Sequence, residues 1–194
     1  MTTYKELTGV LIKRQTTNPS DPQSGEVWYN NASGSLRGLA ILEAFSSAAP
    51  LATKREGAGG FGTQTTAVIC GGETPSVSGA TEEYDGTGFS AGGTMNTARY
   101  RLQGTAGTAT AGIVFGGAPF PSVSTATETY NGTAWTTSPY SLNTARWCAG
   151  AGIQTSALAF GGGPGYKNNT EEYDGEGWTA GNTLNTSRNS LSGA

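Results

Sequence analysis

"TEEYDGTGF", residues Thr81 to Phe89, crowds Glu82, Glu83 and Asp85 around Tyr84 and reads at first like the start of a paired-carboxylate active site. Two later stretches, "TETYNGTAW" (Thr127 to Trp135) and "TEEYDGEGW" (Thr170 to Trp178), repeat its spelling. Upstream of each copy an apolar run ends in two glycines: "TTAVICGG" at Gly71-Gly72, "AGIVFGG" at Gly116-Gly117 and "SALAFGG" at Gly161-Gly162. Gly71, Gly116 and Gly161 are spaced 45 residues apart both times. Downstream come "MNTAR", "LNTAR" and "LNTSR", which end at Arg99, Arg146 and Arg188. So many matching positions in one order identify three copies of a structural unit.

Each copy divides into four short strands. The first precedes a turn at Gln64, Ala109 or Gln154, and the second is the apolar run closed by the diglycine. The third is Thr-Glu-x-Tyr, and the fourth starts at Phe89, Trp135 or Trp178. Asp-Gly or Asn-Gly between the third and fourth is a strong hairpin signal. Four strands in a repeat of about 40–50 residues is the pattern of a propeller blade.

The succession diglycine, Tyr84, Tyr130 or Tyr173, then Trp135 or Trp178, then arginine resembles the kelch repeat over residues 53–194. The interval from tyrosine to tryptophan is shorter than in most kelch repeats. The resemblance implies an all-β fold with blades at approximately 53–99, 100–146 and 147–194. Propellers close with about four to eight blades, so three leave the ring open. Closure is expected from a second copy, most simply two chains making six blades, or from a longer array. Residues 189–194 are expected to pair with a neighbouring chain or with the first blade.

Residues 1–52 stand outside the repeat. "GEVWYNNASGSLRGLAI" (Gly25 to Ile41) reads as strand, Asn-Ala-Ser-Gly turn and strand. It resembles hairpin modules near the N-termini of bacteriophage fibre and other virion proteins, which implies an anchoring or oligomerisation module; the plainer reading is an ordinary hairpin. "TTNPSDPQSGE" (Thr16 to Glu26) reads as a loop, and Glu43 to Gly57 as a short helical or extended linker.

Composition narrows the functional classes. The 194 residues hold 31 glycines, and only 13% are charged, which fits short strands and tight turns. A net charge of −3 with scattered basic residues argues against nucleic acid or an anionic membrane as partner. The N-terminus lacks the pattern of a signal peptide, and no apolar run is long enough to span a bilayer. No histidine occurs, so triads, His-containing zinc sites and the commonest general base are ruled out. Cys70 and Cys148 sit in apolar runs and read as buried small hydrophobes rather than a disulfide or metal pair. "GAGGFG" (Gly57 to Gly62) matches a dinucleotide fingerprint only formally, because a strand pattern follows it where a helix is required. No cofactor is expected.

Strand alternation sends Glu82 and Glu83 to opposite faces, so they do not converge on one substrate. Glu82, Glu128 and Glu171 recur with Arg99, Arg146 and Arg188, which suggests Glu–Arg pairs within or between blades; arginines lining the axis as ligand groups are the alternative. Phe89, Trp135 and Trp178 read as packing between blades. The copies diverge most on the loops of one rim, where Phe120, Tyr140, Tyr166 and Lys167 stand. These side chains can stack on sugars, fill protein pockets or cover blade edges.

The resemblances together imply a bacteriophage virion structural protein without enzymatic activity, made in the host cytoplasm. It would be a homo-oligomeric tail-fibre-like appendage whose partners are other virion proteins and a glycan or protein of the host surface. A non-viral kelch-type interaction module is the second reading, and a carbohydrate-active propeller enzyme the third.

Overall fold

A computed structural model of the chain describes residues 13–17, 20, 27–38 and 48–193 and divides it into two compact units, Met1–Ser47 and Ala48–Ala194. The described residues form strands and turns and no helix. None of their elements is a helix long and apolar enough to cross a membrane.

In the first unit, β2 (Val27–Asn30) pairs antiparallel with β3 (Ser35–Gly38), as the hairpin reading expects for that part. The Asn30 side chain closes the turn, accepting the amides of Ala32 and Ser33 at 3.0 Å each, and Gly34 takes a left-handed φ of 64°. A third strand, β1 (Lys13–Gln15), lies parallel to β2, which no apolar alternation in Lys-Arg-Gln announces. Residues 21–26 and 39–47 of the expected loop, hairpin and linker lie outside the described residues.

The second unit contains three four-stranded antiparallel sheets, each built in chain order. The first comprises β4 (Gly59–Gly62), β5 (Ala67–Cys70), β6 (Thr81–Tyr84) and β7 (Phe89–Ala91). The second comprises β8 (Thr105–Thr108), β9 (Ala111–Phe115), β10 (Thr127–Tyr130) and β11 (Trp135–Thr137). The third comprises β12 (Trp147–Ile153), β13 (Ser156–Gly163), β14 (Thr170–Tyr173) and β15 (Trp178–Ala180). The first strands lie side by side, β4 against β8 and β8 against β12.

The turn chemistry follows the repeat. Both residues of each diglycine have positive φ, from 59° at Gly161 to 100° at Gly162; the first two diglycines lead the chain out of the second strand, and the third lies within the end of β13. At the third-to-fourth hairpins, Asp85 and Asn131 accept the amides two and three residues on at 2.8–3.0 Å, while Gly86, Gly132 and Gly175 supply positive φ.

Two apolar layers lie between the sheets. Phe61, Val68 and Cys70 of the first sheet pack with Val114, Tyr130 and Trp135 of the second. Ile113 and Phe115 of the second pack with Ala157, Tyr173 and Trp178 of the third. Gly112 leaves space for the Phe61 ring, which a Cβ there would overlap. The indoles tie each layer: Trp135 Nε1 donates to Thr81 Oγ1 at 3.0 Å and Trp178 Nε1 to Thr127 Oγ1 at 3.1 Å. Phe89, at the equivalent position of the first sheet, is half-buried and packs on Tyr84 of its own sheet instead.

Candidate functional site

Glu82, Glu128 and Glu171, the carboxylates present in all three copies, each carry structural partners. Arg55 Nη2 meets Glu82 Oε1 at 2.6 Å, Arg99 Nη2 meets Glu128 Oε1 at 2.8 Å, and Arg146 is ion-paired with Glu171. The second oxygen of each carboxylate accepts a backbone amide: Ala52 at 2.7 Å, Asn96 at 2.7 Å and Asn143 at 2.6 Å. Arg99 Nη1 also reaches the carbonyls of Gly116 at 2.7 Å and Ala126 at 2.8 Å. The pairs therefore join sheets in succession: the segment that ends one repeat is an arm that docks on the glutamate of the next.

This offset corrects the equivalence in two places. Glu82 pairs with Arg55, whose surroundings in "LATKR" hide its likeness to "LNTAR". Arg188 is exposed and has no carboxylate partner among the described residues, because no glutamate of a following sheet faces it. Arg99 and Arg146 are 0% exposed, which removes them as ligand groups for anything in solution. Burial pulls the Arg99 guanidinium below its ordinary value, and the adjacent Glu128 opposes that shift.

Glu83 points to the opposite face and accepts the Tyr130 hydroxyl of the second sheet. Burial, then the bond to Glu83, pushes the Tyr130 hydroxyl up to about 12. Asp85 is held down to about 2 by the Thr87 hydroxyl and the amides of Gly88 and Thr87. Asp174 likewise serves its turn, accepting the Glu176 amide at 2.9 Å. Cys70 and Cys148 are free and buried, and desolvation pushes each thiol up to about 12. Among the described residues, no three His, Cys, Asp or Glu side chains are grouped to hold a metal ion.

The loop rim offers different chemistry. Phe120 and Tyr166 are 70% and 77% exposed, Tyr140 is 39% exposed, and Lys167 is half-buried. Phe120 takes a φ of 39°, unusual for a bulky residue, and stands out from the loop between β9 and β10. The fourth-to-first connections emerge on the same rim and link its loops. Tyr100 exchanges backbone hydrogen bonds with Ala118 at 3.0 and 2.9 Å, and the Arg188 amide donates to Lys167 O at 2.9 Å. Between them the Arg101 guanidinium lies 4.4 Å from the Trp147 ring centroid and 5.2 Å from that of Tyr100. Trp147 is fixed in turn by its indole, which donates to Asn189 Oδ1 at 3.0 Å. The rim thus carries an Arg101–Trp147 stack near the Phe120 loop, and backbone pairing joins the Tyr166 loop to residue 188.

Sequence reasoning missed Tyr100, Arg101 and Trp147. Their signal was present: the residue after each arm arginine changes from Tyr100 to Trp147 to Asn189, a variable position in an otherwise repeated frame. Planar aromatic faces with a guanidinium suit stacking on sugar rings or on the side chains of a protein surface. No protein-family model and no curated protein sequence matches the chain.

Proposed function

We propose that the chain is a bacteriophage virion structural protein, a tail-fibre-like appendage in which kelch-like propeller blades present an aromatic rim to the host surface. The observation that carries this reading is the division of labour within the repeat. Glu82, Glu128 and Glu171 are engaged between the sheets, while the divergent positions place Phe120, Tyr166 and the Arg101–Trp147 stack on one exposed rim. An adhesin needs that separation, because a rigid scaffold holds variable contacts at low entropic cost. The likeness of the Gly25–Ile41 hairpin to modules of virion fibres supports the phage assignment and gives residues 1–52 an anchoring role.

Retention of the purified full chain on bacterial cells tests the reading. The chain is expected to bind susceptible cells, and the pair Phe120→Ala and Tyr166→Ala to abolish retention with β-sheet circular dichroism intact. No retention by the unaltered chain on any host, together with its absence from purified particles by mass spectrometry, would reject the adhesin.

A further inference from the structure

We infer that the open face of the third sheet is a docking surface for the first sheet of a second copy of this chain, so that two copies join head to tail. This rests on the propeller reading above and specifies how its ring closes.

One row of residues on each sheet faces the sheet that follows. In the first two sheets its second-strand members, Val68 and Ile113, are 0% exposed. The equivalent Leu158 is 37% exposed and lines an open groove of ≈ 690 Å³ together with Ala151, Glu172 and Thr179. At the other end, Tyr84 and Phe89 are only half-buried, whereas their equivalents Tyr130 and Trp135, and Tyr173 and Trp178, are 0–7% exposed. Each end of the stack thus leaves open the face that the other sheets cover.

Polar groups on the two faces correspond to each other. Glu83 accepts the Tyr130 hydroxyl across the first layer; Glu172 is the equivalent acceptor on the open face, and Tyr84, whose hydroxyl donates to the Gly86 carbonyl at 2.9 Å in the single copy and would turn from it on docking, is the equivalent donor on the first sheet. Gln154 reaches back from the third sheet to the Gly112 and Tyr130 carbonyls at 3.0 and 2.9 Å, and Gln64 is its exposed equivalent on the first sheet. Thr81 and Thr127 accept an indole N–H, but Thr170 donates to Asn182 O at 2.6 Å, and the first sheet carries Phe89 in place of a tryptophan.

The arms agree. Ser190 has the φ of 55° found at Arg101, and a Cβ at Gly161 would overlap Leu191 just as one at Gly71 would overlap Leu102, so Ser190 and Leu191 reproduce the geometry of Arg101 and Leu102. The exposed Asn185–Arg188 arm therefore offers what Glu128 and Glu171 receive from their arms. In the joined copy it competes with Ala52–Arg55 for Glu82. Asn96 and Asn143 donate to the Trp135 and Trp178 carbonyls at 3.1 and 2.9 Å; Asn185 can make that bond to Phe89, and Ala52 cannot. Two copies joined in this way supply six sheets, within the range that closes a propeller.

Mass measurement by light scattering on the full chain tests this. The chain should have the mass of two copies, while Leu158→Arg and Phe89→Arg should each give one-copy mass with unchanged circular dichroism. An equimolar mixture of the two variants should recover the two-copy mass, because one intact face of each kind remains. Glu172→Arg provides a second disruption of the open face that is already solvent-exposed in the single copy. A folded one-copy species for the unaltered chain, or two-copy mass persisting in both single variants, would overturn the inference. The rim pair Phe120→Ala and Tyr166→Ala should keep two-copy mass while losing cell retention, so failure of assembly and failure of adhesion are read separately.

Discussion

Replacing Glu128 by alanine tests whether the recurrent glutamates hold the sheets together. The carboxylate is 0% exposed and accepts three groups: Arg99 Nη2 at 2.8 Å and the amides of Asn96 and Thr97 at 2.7 and 3.3 Å. Its loss strands a buried guanidinium whose Nε already has no partner. Breaking a buried pair from one side costs about 3–5 kcal/mol, and the orphaned amides place Glu128→Ala at the upper end of that range. Arg99→Met combined with Glu128→Ala removes the stranded charge, so the double variant should lose less than the sum of the singles, with a coupling of roughly 2–3 kcal/mol. Glu176→Ala, on an exposed turn, is the control and should stay within about 0.5 kcal/mol. Urea unfolding followed by circular dichroism reads Glu128→Ala, Arg99→Met, the double variant and Glu176→Ala against the unaltered chain. A loss below about 1 kcal/mol for Glu128→Ala, or coupling near zero, would refute the clamp.

Other outcomes follow from the same geometry. Gly162→Ala should destabilise by about 1–3 kcal/mol from the φ of 100° alone, and more from overlap of its Cβ with the Trp147 carbonyl, measured by the same unfolding assay. Cys70 and Cys148 should resist a thiol reagent at pH 8 in the native state and react on denaturation; immediate reaction would contradict their burial. Stability should fall in alkali. The folded state holds the two thiol protons up to about 12 against an ordinary 9.0, and the Tyr130 proton up to about 12 against 10.0. That contribution is complete below pH 9 and is lost as pH rises through 12, so the urea midpoint at a pH of about 10.5 should lie below that at pH 8.

The sheets were legible because the same strand pattern is written three times and its turns demand Gly, Asn or Asp at fixed places. Burial of the Trp135 and Trp178 rings and of the recurrent glutamates follows from their recurrence. The offset of the Arg–Glu pairs was not legible, since spacing alone leaves open whether Arg99 turns back to Glu82 or forward to Glu128. Arg55 was hidden because its arm has Ala52 where the others have asparagine and Lys54 where they have alanine or serine. On the rim, Phe120 and Tyr166 were readable as loop aromatics, but the Arg101–Trp147 stack depends on bringing together residues from consecutive repeats. β1 had no readable signal, because three polar residues gain strand structure from pairing with β2.

Cell binding compared between two variants tests the central claim most directly, that acids build the scaffold and the rim recognises the surface. One variant carries Phe120→Ala and Tyr166→Ala; the other carries Glu83→Gln, which leaves the rim untouched. The account predicts that the first loses retention on host cells at unchanged stability, and that the second binds as the unaltered chain does while unfolding at lower urea. Retention that survives loss of the rim aromatics, or disappears in a stably folded Glu83→Gln, would contradict it.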